Sequence, residues 1–350
     1  MKLTNIYGSA LLAVIAGSAG AESLDRNALP LEMLFESGNA VRLAFTAPNP
    51  DVSSAPAGGT GSVLSSYTTL DFAYKQQLND RMDLGLFLGE PYGALGNSAG
   101  TAAGGQTLEV QSSEVAAVLK YKLENNVSVY GGIRVVKSDF DFTLPVGTPG
   151  LAGGYALSME DDTAVGYLAG VSLAFPERGG RIGLTYHSKV KHALSSSELG
   201  LAALPVTGTT NATMPQSVTL DGRTALNSNT LIFGSIKWSD YSGFALAAPG
   251  LTLVDYTEDA VTANVGIGRK INDEWSVFGI LDWTKSDGKA TVLRPYDGAT
   301  GLTLGTTYAS GQIKITGGAQ YKKFGDATAG GNSYTGGTAL TPFLQVGYSF

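Results

Sequence analysis

The residue types that carry out acyl transfer occur here in patterns that do not support that chemistry. Gly96-Asn97-Ser98-Ala99-Gly100 matches the Gly-x-Ser-x-Gly nucleophile motif, but that motif requires a strand, a sharp turn and a helix. This copy lies in a Gly- and Ala-rich stretch with no predicted helix after it. His187 and Ser188 are neighbours on a predicted strand, so their side chains face opposite sides and do not form a dyad with each other. The sequence predicts no catalytic residues.

Metal and nucleic-acid chemistry are also unsupported. The chain has no cysteine and only two histidines, His187 and His192, which fall on opposite faces of one predicted strand. A net charge of -7 opposes binding to nucleic acid, because phosphate contacts need a basic face. We therefore expect no metal, no cofactor and no nucleic-acid partner.

The first residues have the form of an export signal. Lys2 provides the positive start, Ala10 to Ala16 the short apolar core, and Ala19-Gly20-Ala21 the cleavage site. This predicts a signal peptide over residues 1–21 and a mature chain that begins near Glu22. No later stretch is apolar for long enough to be a transmembrane helix. An exported chain of this kind is either soluble or crosses a membrane as a closed β-barrel.

Hydrophobic alternation and turn signals predict fourteen strands. Short turns such as Glu124-Asn125-Asn126 alternate with long Gly/Ala/Thr/Pro-rich loops, predicted among other places over 194–215, 240–255 and 326–339. That alternation is typical of an outer-membrane barrel, which has tight periplasmic turns and long external loops. The strands are predicted to start near Asn39, Ser66, Arg81, Gln106, Val127, Tyr155, Gly180, Gln216, Asn229, Tyr256, Glu274, Gly301, Gln312 and Leu340.

The predicted strands have one apolar and one polar face. In 181–191, Ile182, Leu184 and Tyr186 alternate with polar residues, so one face suits lipid and the other a polar lumen. A soluble β-sandwich also alternates. The last predicted strand favours the barrel, because it is apolar on one face and ends in Phe350. Candidate interfacial aromatic residues are Tyr186, Trp238, Tyr241, Trp275, Trp283 and Tyr308.

The same parity predicts a set of charged residues inside the barrel. These charges either neutralise one another in a network of ion pairs, or one or two cations hold the carboxylate of a substrate. Apolar inward residues such as Phe87 would then contact its hydrocarbon tail. The predicted inward charges are Arg42, Asp71, Glu114, Lys120, Lys122, Arg134, Arg181, Lys189, Lys191 and Asp282.

Three stretches resemble the FadL/TodX family of outer-membrane transporters. Residues 181–192 are similar to a family strand of the form R-x-G-L-x-Y-R-S-x-V-x-H. Residues 214–218 and 236–242 resemble its P-x-S-V segment and its W-T-D-W-S turn. The third stretch is 273–279, followed by 301–308. They occur in the family's order over roughly the second half of the chain, whereas the first half matches poorly.

The resemblance implies an all-β, transmembrane antiparallel β-barrel of about 14 strands over 39–350, preceded by a short N-terminal plug over 22–38. No Asn-Pro-Ala triplet occurs in that plug. The implied function is passive uptake of long-chain fatty acids or other hydrophobic compounds by a monomer surrounded by outer-membrane lipid. The lateral opening of the family would fall in the third strand, at Gly85, Gly89 or Pro91. The predicted substrate-binding residues are Phe87, Arg134, Arg181, His187, Lys189 and Lys191.

Two other functions stay open at this point. A general diffusion porin would share the barrel but conduct ions freely, so channel conductance separates it from a plugged transporter. An outer-membrane lipid hydrolase would share the location, and an assay of ester hydrolysis tests it.

Overall fold

The computed structural model describes residues 24–55, 62–98, 105–148, 153–202, 204–250, 252–286, 288, 290–291, 293–329 and 332–350. The predicted signal peptide over 1–21 and the residues Ala99-Gly100 of the Gly-x-Ser-x-Gly motif lie outside this part of the chain. No helix in the described ranges has the length and apolar content needed to cross a membrane.

The described residues form fourteen barrel strands, and five of these strands are built from two segments. Two short 3-10 turns, Leu31–Phe35 and Pro176–Arg178, and a small hairpin, Ala245–Ala247 with Thr252–Asp255, complete the secondary structure of the described residues. The strands are 1, Ala40–Thr46 and Asn49–Ala55; 2, Thr69–Gln77; 3, Met82–Gly89 and Ala94–Asn97; 4, Thr107–Lys122; 5, Val127–Leu144; 6, Tyr155–Phe175; 7, Gly180–His187 and Val190–Leu199; 8, Val206–Met214 and Ser217–Asn227; 9, Thr230–Ser239; 10, Ala260–Lys270; 11, Trp275–Thr284; 12, Ala299–Ser310; 13, Ile313–Phe324 and Ala327–Ala329; and 14, Asn332–Ser349.

The sheet closes on itself. Each strand pairs in antiparallel fashion with its neighbour in sequence, and strand 1 pairs with strand 14 from Ala40 with Ser349 to Thr46 with Phe343. Turn chemistry supports this order: Asn125 and Asn126, between strands 4 and 5, both have positive φ, which asparagine tolerates and tight hairpins require. The predicted all-β, fourteen-stranded antiparallel barrel is confirmed.

The two faces of the wall differ as predicted. Apolar side chains on the outside remain exposed, among them Ile133 (60%), Val165 (67%) and Leu281 (59%). Trp275 and Trp283 also point outward. Inward positions of the same strands include polar and charged groups, such as Ser128, Arg134 and Ser172, beside apolar ones. An apolar outer belt around an interior that holds charged groups is the pattern of a barrel in a membrane.

Several strands extend further than predicted. Strand 7 runs to Leu199 and strand 8 begins at Val206, so most of the loop predicted over 194–215 is a paired hairpin. Strand 14 begins at Asn332 instead of Leu340. In these extensions both faces carry Ser, Thr, Gly or Asn. Alternation of apolar and polar residues, the signal used to find strands, is lost where the outer face no longer contacts lipid.

Candidate functional site

The N-terminal segment, residues 24–39, lies inside the barrel. Met33 and Leu34 are buried in one cluster with Phe87, Ala116 and Leu168, which point inward from strands 3, 4 and 6. Polar contacts hold the rest of the segment. They include the ion pair between Arg42 and Glu32 (2.6 Å) and hydrogen bonds from Lys75 Nζ to the carbonyls of Gly38 (2.6 Å) and Glu36 (3.0 Å).

Most predicted inward charges are paired. Asp83 bridges Lys75 (2.7 Å) and Lys120 (2.8 Å), and Arg181 pairs with Asp221. Similar contacts join Lys322 to Asp282 (3.5 Å) and Asn27 to Asp71 (2.8 Å). A network of ion pairs that neutralise one another was one of the two interpretations of the sequence, and it describes this half of the lumen.

Arg134 forms the most enclosed of these pairs. Its Nε and one terminal nitrogen donate to Glu114 at 2.6 and 3.0 Å, and the two side chains are 3% and 1% exposed. The other terminal nitrogen donates weakly to the carbonyl of Ser188 (3.4 Å). Adjacent strands 4 and 5 bring these groups together diagonally. Ala116 is opposite Arg134 and Glu114 is opposite Val136, so the two inward side chains are offset by two residues.

Of the other predicted site residues, three face the lumen. Phe87 is fully buried beside Leu34, and the guanidinium of Arg181 lies 4.1 Å from the ring centre of Phe35. His187 is the last residue of the first segment of strand 7; it occupies an inward-facing position and lies opposite Ser217. The structure thus places Arg181 and Phe87 against the N-terminal segment, whereas His187 lies further along the wall toward the outer side.

The predicted orientation of Lys189 and Lys191 is wrong. Both side chains are exposed on the outer surface, whereas Val190 (0% exposed) and His192 (1% exposed) point inward. Strand 7 is interrupted at Ser188 and Lys189, between its two segments. Such an irregularity shifts the alternation by one position, so every later side chain changes face.

The outer half of the lumen is filled by apolar side chains that we call the outer apolar cluster. Most of its residues come from strands 4 to 8 and from two external loops that fold inward, and Leu24, Ala94 and Ala260 join it from the N-terminal segment, strand 3 and strand 10. Its members include Val136, Phe140, Leu157, Met159, Val190, Leu194, Met214, Tyr241, Phe244, Tyr256 and Leu293. A hydrophobic molecule entering from outside would meet this cluster before the charged network.

The loop between strands 9 and 10 supplies the aromatic part of the cluster. Tyr241, expected at the membrane interface, is instead fully buried inside, with ring centres 6.0 Å from Phe244 and 5.6 Å from Tyr256. Its hydroxyl donates to Asp25 of the N-terminal segment (3.0 Å). Burial alone would raise the pKa of Asp259, but hydrogen bonds from Ser242 and Trp238 hold it below its ordinary value. Sequence reasoning predicted a loop over 240–255 but missed that it folds into the lumen, although three aromatic residues within sixteen positions were a visible signal.

Strand 3 is broken after Gly89 and resumes at Ala94, so the interruption contains Pro91. The N-terminal segment pairs with the break: Arg26 N donates to the Pro91 carbonyl (2.9 Å) and Gly93 N donates to the Leu24 carbonyl (2.8 Å). Of the three candidates from the sequence, Gly85 lies in continuous ladder on both sides, whereas Gly89 and Pro91 border or occupy the break.

Beside the break, strand 2 has no ladder partner on the side that faces strand 3. Residues 69–71 pair with strand 1, and the described part of strand 3 offers them no ladder contact. Asn27 fills the space by donating to Thr69 Oγ1 (2.7 Å) and Asp71 Oδ2 (2.8 Å).

The described residues contain no group of three or more His, Asp or Glu side chains placed to bind a metal ion.

Comparison with known proteins gives the same fold. A crystal structure of a Pseudomonas aeruginosa FadL homologue superposes with a TM-score of 0.77 at 16% identity, covering 98% of both chains. The Pseudomonas putida toluene transporter TodX gives 0.70 at 14% identity over 98% of this chain and 100% of that one. The Ralstonia pickettii toluene transporter TbuX gives 0.67 at 16% identity over 99% of each. No curated protein sequence matches significantly.

A sequence model of the family described as outer membrane protein transport protein (OMPP1/FadL/TodX) matches residues 49–340. This range holds most of the barrel and both inward-folded loops. Family members are outer-membrane transporters of hydrophobic compounds. The closed barrel, its apolar belt and the match over most of the chain agree, and the chain belongs to the outer-membrane transport protein family OMPP1/FadL/TodX.

Proposed function

We propose that the protein mediates passive uptake of long-chain fatty acids and related hydrophobic molecules across the outer membrane. The observation that carries this proposal is the outer apolar cluster, which occupies the outer half of the lumen and meets the buried cation Arg134 at its inner edge. Apolar side chains suit a hydrocarbon tail, and a guanidinium suits a carboxylate. Relatives of the same fold are named as toluene transporters, which extends the candidate substrates to monoaromatic hydrocarbons.

The N-terminal segment is the plug in this proposal. It fills the inner half of the lumen and also holds the break in strand 3 through Leu24, Arg26 and Asn27. Release of these contacts would open a lateral path from the lumen into the membrane. The free energy of a hydrophobic solute is lower in lipid than in water, so direct exit into the membrane is favoured.

A direct test is uptake by proteoliposomes that contain the purified protein. A long-chain fatty acid and toluene are supplied outside, and entry is compared with liposomes that lack protein. Protein-dependent entry of either solute supports the proposal and identifies the preferred class. Equal entry with and without protein would contradict it, and hydrolysis of an added ester would favour the hydrolase alternative.

The intact protein is expected to conduct almost no ions. The N-terminal segment packs into the inner half of the lumen, and the outer apolar cluster fills its outer half. Planar-bilayer recordings measure this, with a variant that lacks residues 24–38 as a positive control for current. A steady open-channel current in the intact protein would instead indicate a diffusion porin.

Fatty-acid affinity is expected to depend on Arg134. The double variant Arg134→Met/Glu114→Gln removes both charges, so no unpaired charge is left buried. It should weaken fatty-acid binding by roughly ten- to a hundredfold, the equivalent of one charge-assisted hydrogen bond. Toluene binding should change little. Glu114→Gln alone leaves the guanidinium free and should strengthen fatty-acid binding. Calorimetry in detergent measures each affinity, and equal fatty-acid affinity in all variants would remove Arg134 from the site.

A further inference from the structure

The hydrogen-bond ladder between strands 6 and 7 is interrupted. The inner part ends at Leu168 with His187, and the outer part begins at Met159 with Ser196. Between these pairs, residues 160–167 of strand 6 and 188–195 of strand 7 are all described and form no ladder pair with each other. Both strands stay paired on their other sides, with strands 5 and 8. The wall therefore has a gap, which we call the 6/7 gap.

The gap arises because strands 6 and 7 each contain one irregularity, and the two irregularities lie at different levels of the wall. Strand 7 changes the facing of its side chains at Ser188 and Lys189, whereas strand 6 does so only near Glu160 and Asp161, at the far end of the gap. Inside the gap, positions that the two ladders place opposite each other point to opposite sides. Gly166 points inward, for example, whereas its register partner Lys189 points outward. A regular ladder needs matched facing, so it cannot continue through this stretch.

One backbone hydrogen bond, from Ser188 N to the Tyr167 carbonyl (2.8 Å), remains at the inner end of the 6/7 gap, and side-chain contacts close the rest. At its inner end Ser188 Oγ accepts from Tyr167 N (2.8 Å). Further out, Asp162 Oδ2 meets His192 Nδ1 at 3.0 Å and accepts from Ala193 N at 3.3 Å. These contacts can separate one at a time, because no continuous backbone ladder joins them.

Val190 fills the middle of the gap. A Cβ atom added to Gly166 would lie 2.8 Å from Val190 Cγ2, so the valine side chain occupies the space that the glycine leaves. Val190 and the Asp162–His192 contact therefore lie between the two sides of the wall at this level.

The position of the 6/7 gap connects lipid with the lumen. On its outer side Val165 and Tyr167 belong to the apolar belt, and Lys189 and Lys191 are exposed beside them. A lysine facing lipid costs about 2 to 4 kcal/mol at mid-membrane and little near the interface. The gap therefore lies where the outer leaflet passes from hydrocarbon to head groups. On its inner side, Val190 belongs to the outer apolar cluster.

We propose that the 6/7 gap is a second lateral portal, through which hydrophobic solutes pass between the outer leaflet and the outer apolar cluster. It rests on the proposed function and lies on a different part of the wall from the break in strand 3. The Asp162–His192 contact holds the portal shut, and separation of that contact with a turn of Val190 opens it.

A reversible disulfide across the gap tests the portal. Gly166→Cys/Val190→Cys places two Cβ atoms within disulfide range, and the chain has no other cysteine. Val171→Cys/Leu184→Cys is the matched control, because those residues are opposite each other in the intact ladder of the same two strands. In proteoliposomes, oxidation of the gap variant should remove most fatty-acid uptake, reduction should restore it, and oxidation of the control should leave the rate unchanged.

Unchanged uptake after complete oxidation of the gap variant overturns the portal, while leaving uptake as the function. Absence of uptake by the wild-type protein overturns the proposed function, and with it the portal as a route for solute.

A labelling measurement needs neither uptake nor the disulfide. In Val190→Cys, a lipid-soluble maleimide should react slowly, because Val190 is fully buried. Adding Asp162→Asn weakens the contact with His192 and should accelerate labelling. Equal labelling rates in the two proteins overturn the role of the Asp162–His192 contact in closing the gap.

Discussion

Replacing Glu114 with alanine is expected to lower the free energy of unfolding by about 3 to 5 kcal/mol, the usual effect of removing one partner of a buried ion pair. The reason is the enclosure of Arg134. Its guanidinium loses both hydrogen bonds to the carboxylate, and at 3% exposure it has almost no access to water. The strand itself should still pair, because Ala is already the neighbouring inward residue at position 116.

The temperature at which the barrel loses its fast, heat-modifiable migration on gels measures this effect. Arg134→Met/Glu114→Leu should recover most of the loss, because no charge is left without a partner. Lys137→Ala is the matched surface control. It breaks an ion pair with Asp161 in which the side chains are 50% and 58% exposed, and such pairs contribute at most about 1 kcal/mol. Similar temperatures for Glu114→Ala and Lys137→Ala would show that the buried pair does not stabilise the barrel.

Deletion of Phe350 is expected to reduce the outer-membrane level of the protein several-fold. The last residue closes the seam of the barrel: its N–H donates to the Asn39 carbonyl (3.0 Å), and its own carbonyl accepts from Asn39 N (3.2 Å). The ring stacks on Tyr348 at 5.9 Å and continues the outward apolar face of strand 14. Its loss removes backbone contacts and the terminal aromatic group together.

Substitutions separate these two contributions. Phe350→Tyr keeps both and should assemble normally. Phe350→Gly keeps the backbone contacts only and should assemble almost as poorly as the deletion, if the aromatic ring is the feature recognised during assembly. Quantitative blots of outer-membrane fractions measure the outcome. Normal levels of the deletion variant would show that the C-terminal residue is dispensable.

Local patterns made the barrel predictable from the sequence. Alternation with a period of two located the membrane part of each strand, and turns such as Glu124-Asn125-Asn126 marked where strands reverse. Both signals depend on residues close together in the chain. The inward orientation of Arg134 and Arg181 was predicted from the same alternation, because strands 5 and 7 are regular up to those residues.

Other features of the site depend on contacts that the alternation of residues along a strand does not reveal. Lys189 and Lys191 were placed on the wrong face because the interruption at Ser188 has no distinct composition. Tyr241 was placed at the interface because nothing near it in sequence shows that its loop folds inward to meet Asp25, more than two hundred positions earlier. Parity is reliable only up to the first irregularity of a strand.

The unequal strand lengths give the barrel a sloping outer rim. Strand 6 has 21 residues, whereas strands 9 and 11 have 10 each. At about 3.4 Å per residue and a tilt near 40°, these lengths reach roughly 55 and 26 Å along the barrel axis. The short side ends close to the membrane surface, whereas the tall side passes through the layer of lipopolysaccharide sugars outside it. Molecules that diffuse through this sugar layer therefore reach the mouth more easily from the low side, and antibodies or phages that bind the exposed wall would do so on the high side without blocking entry.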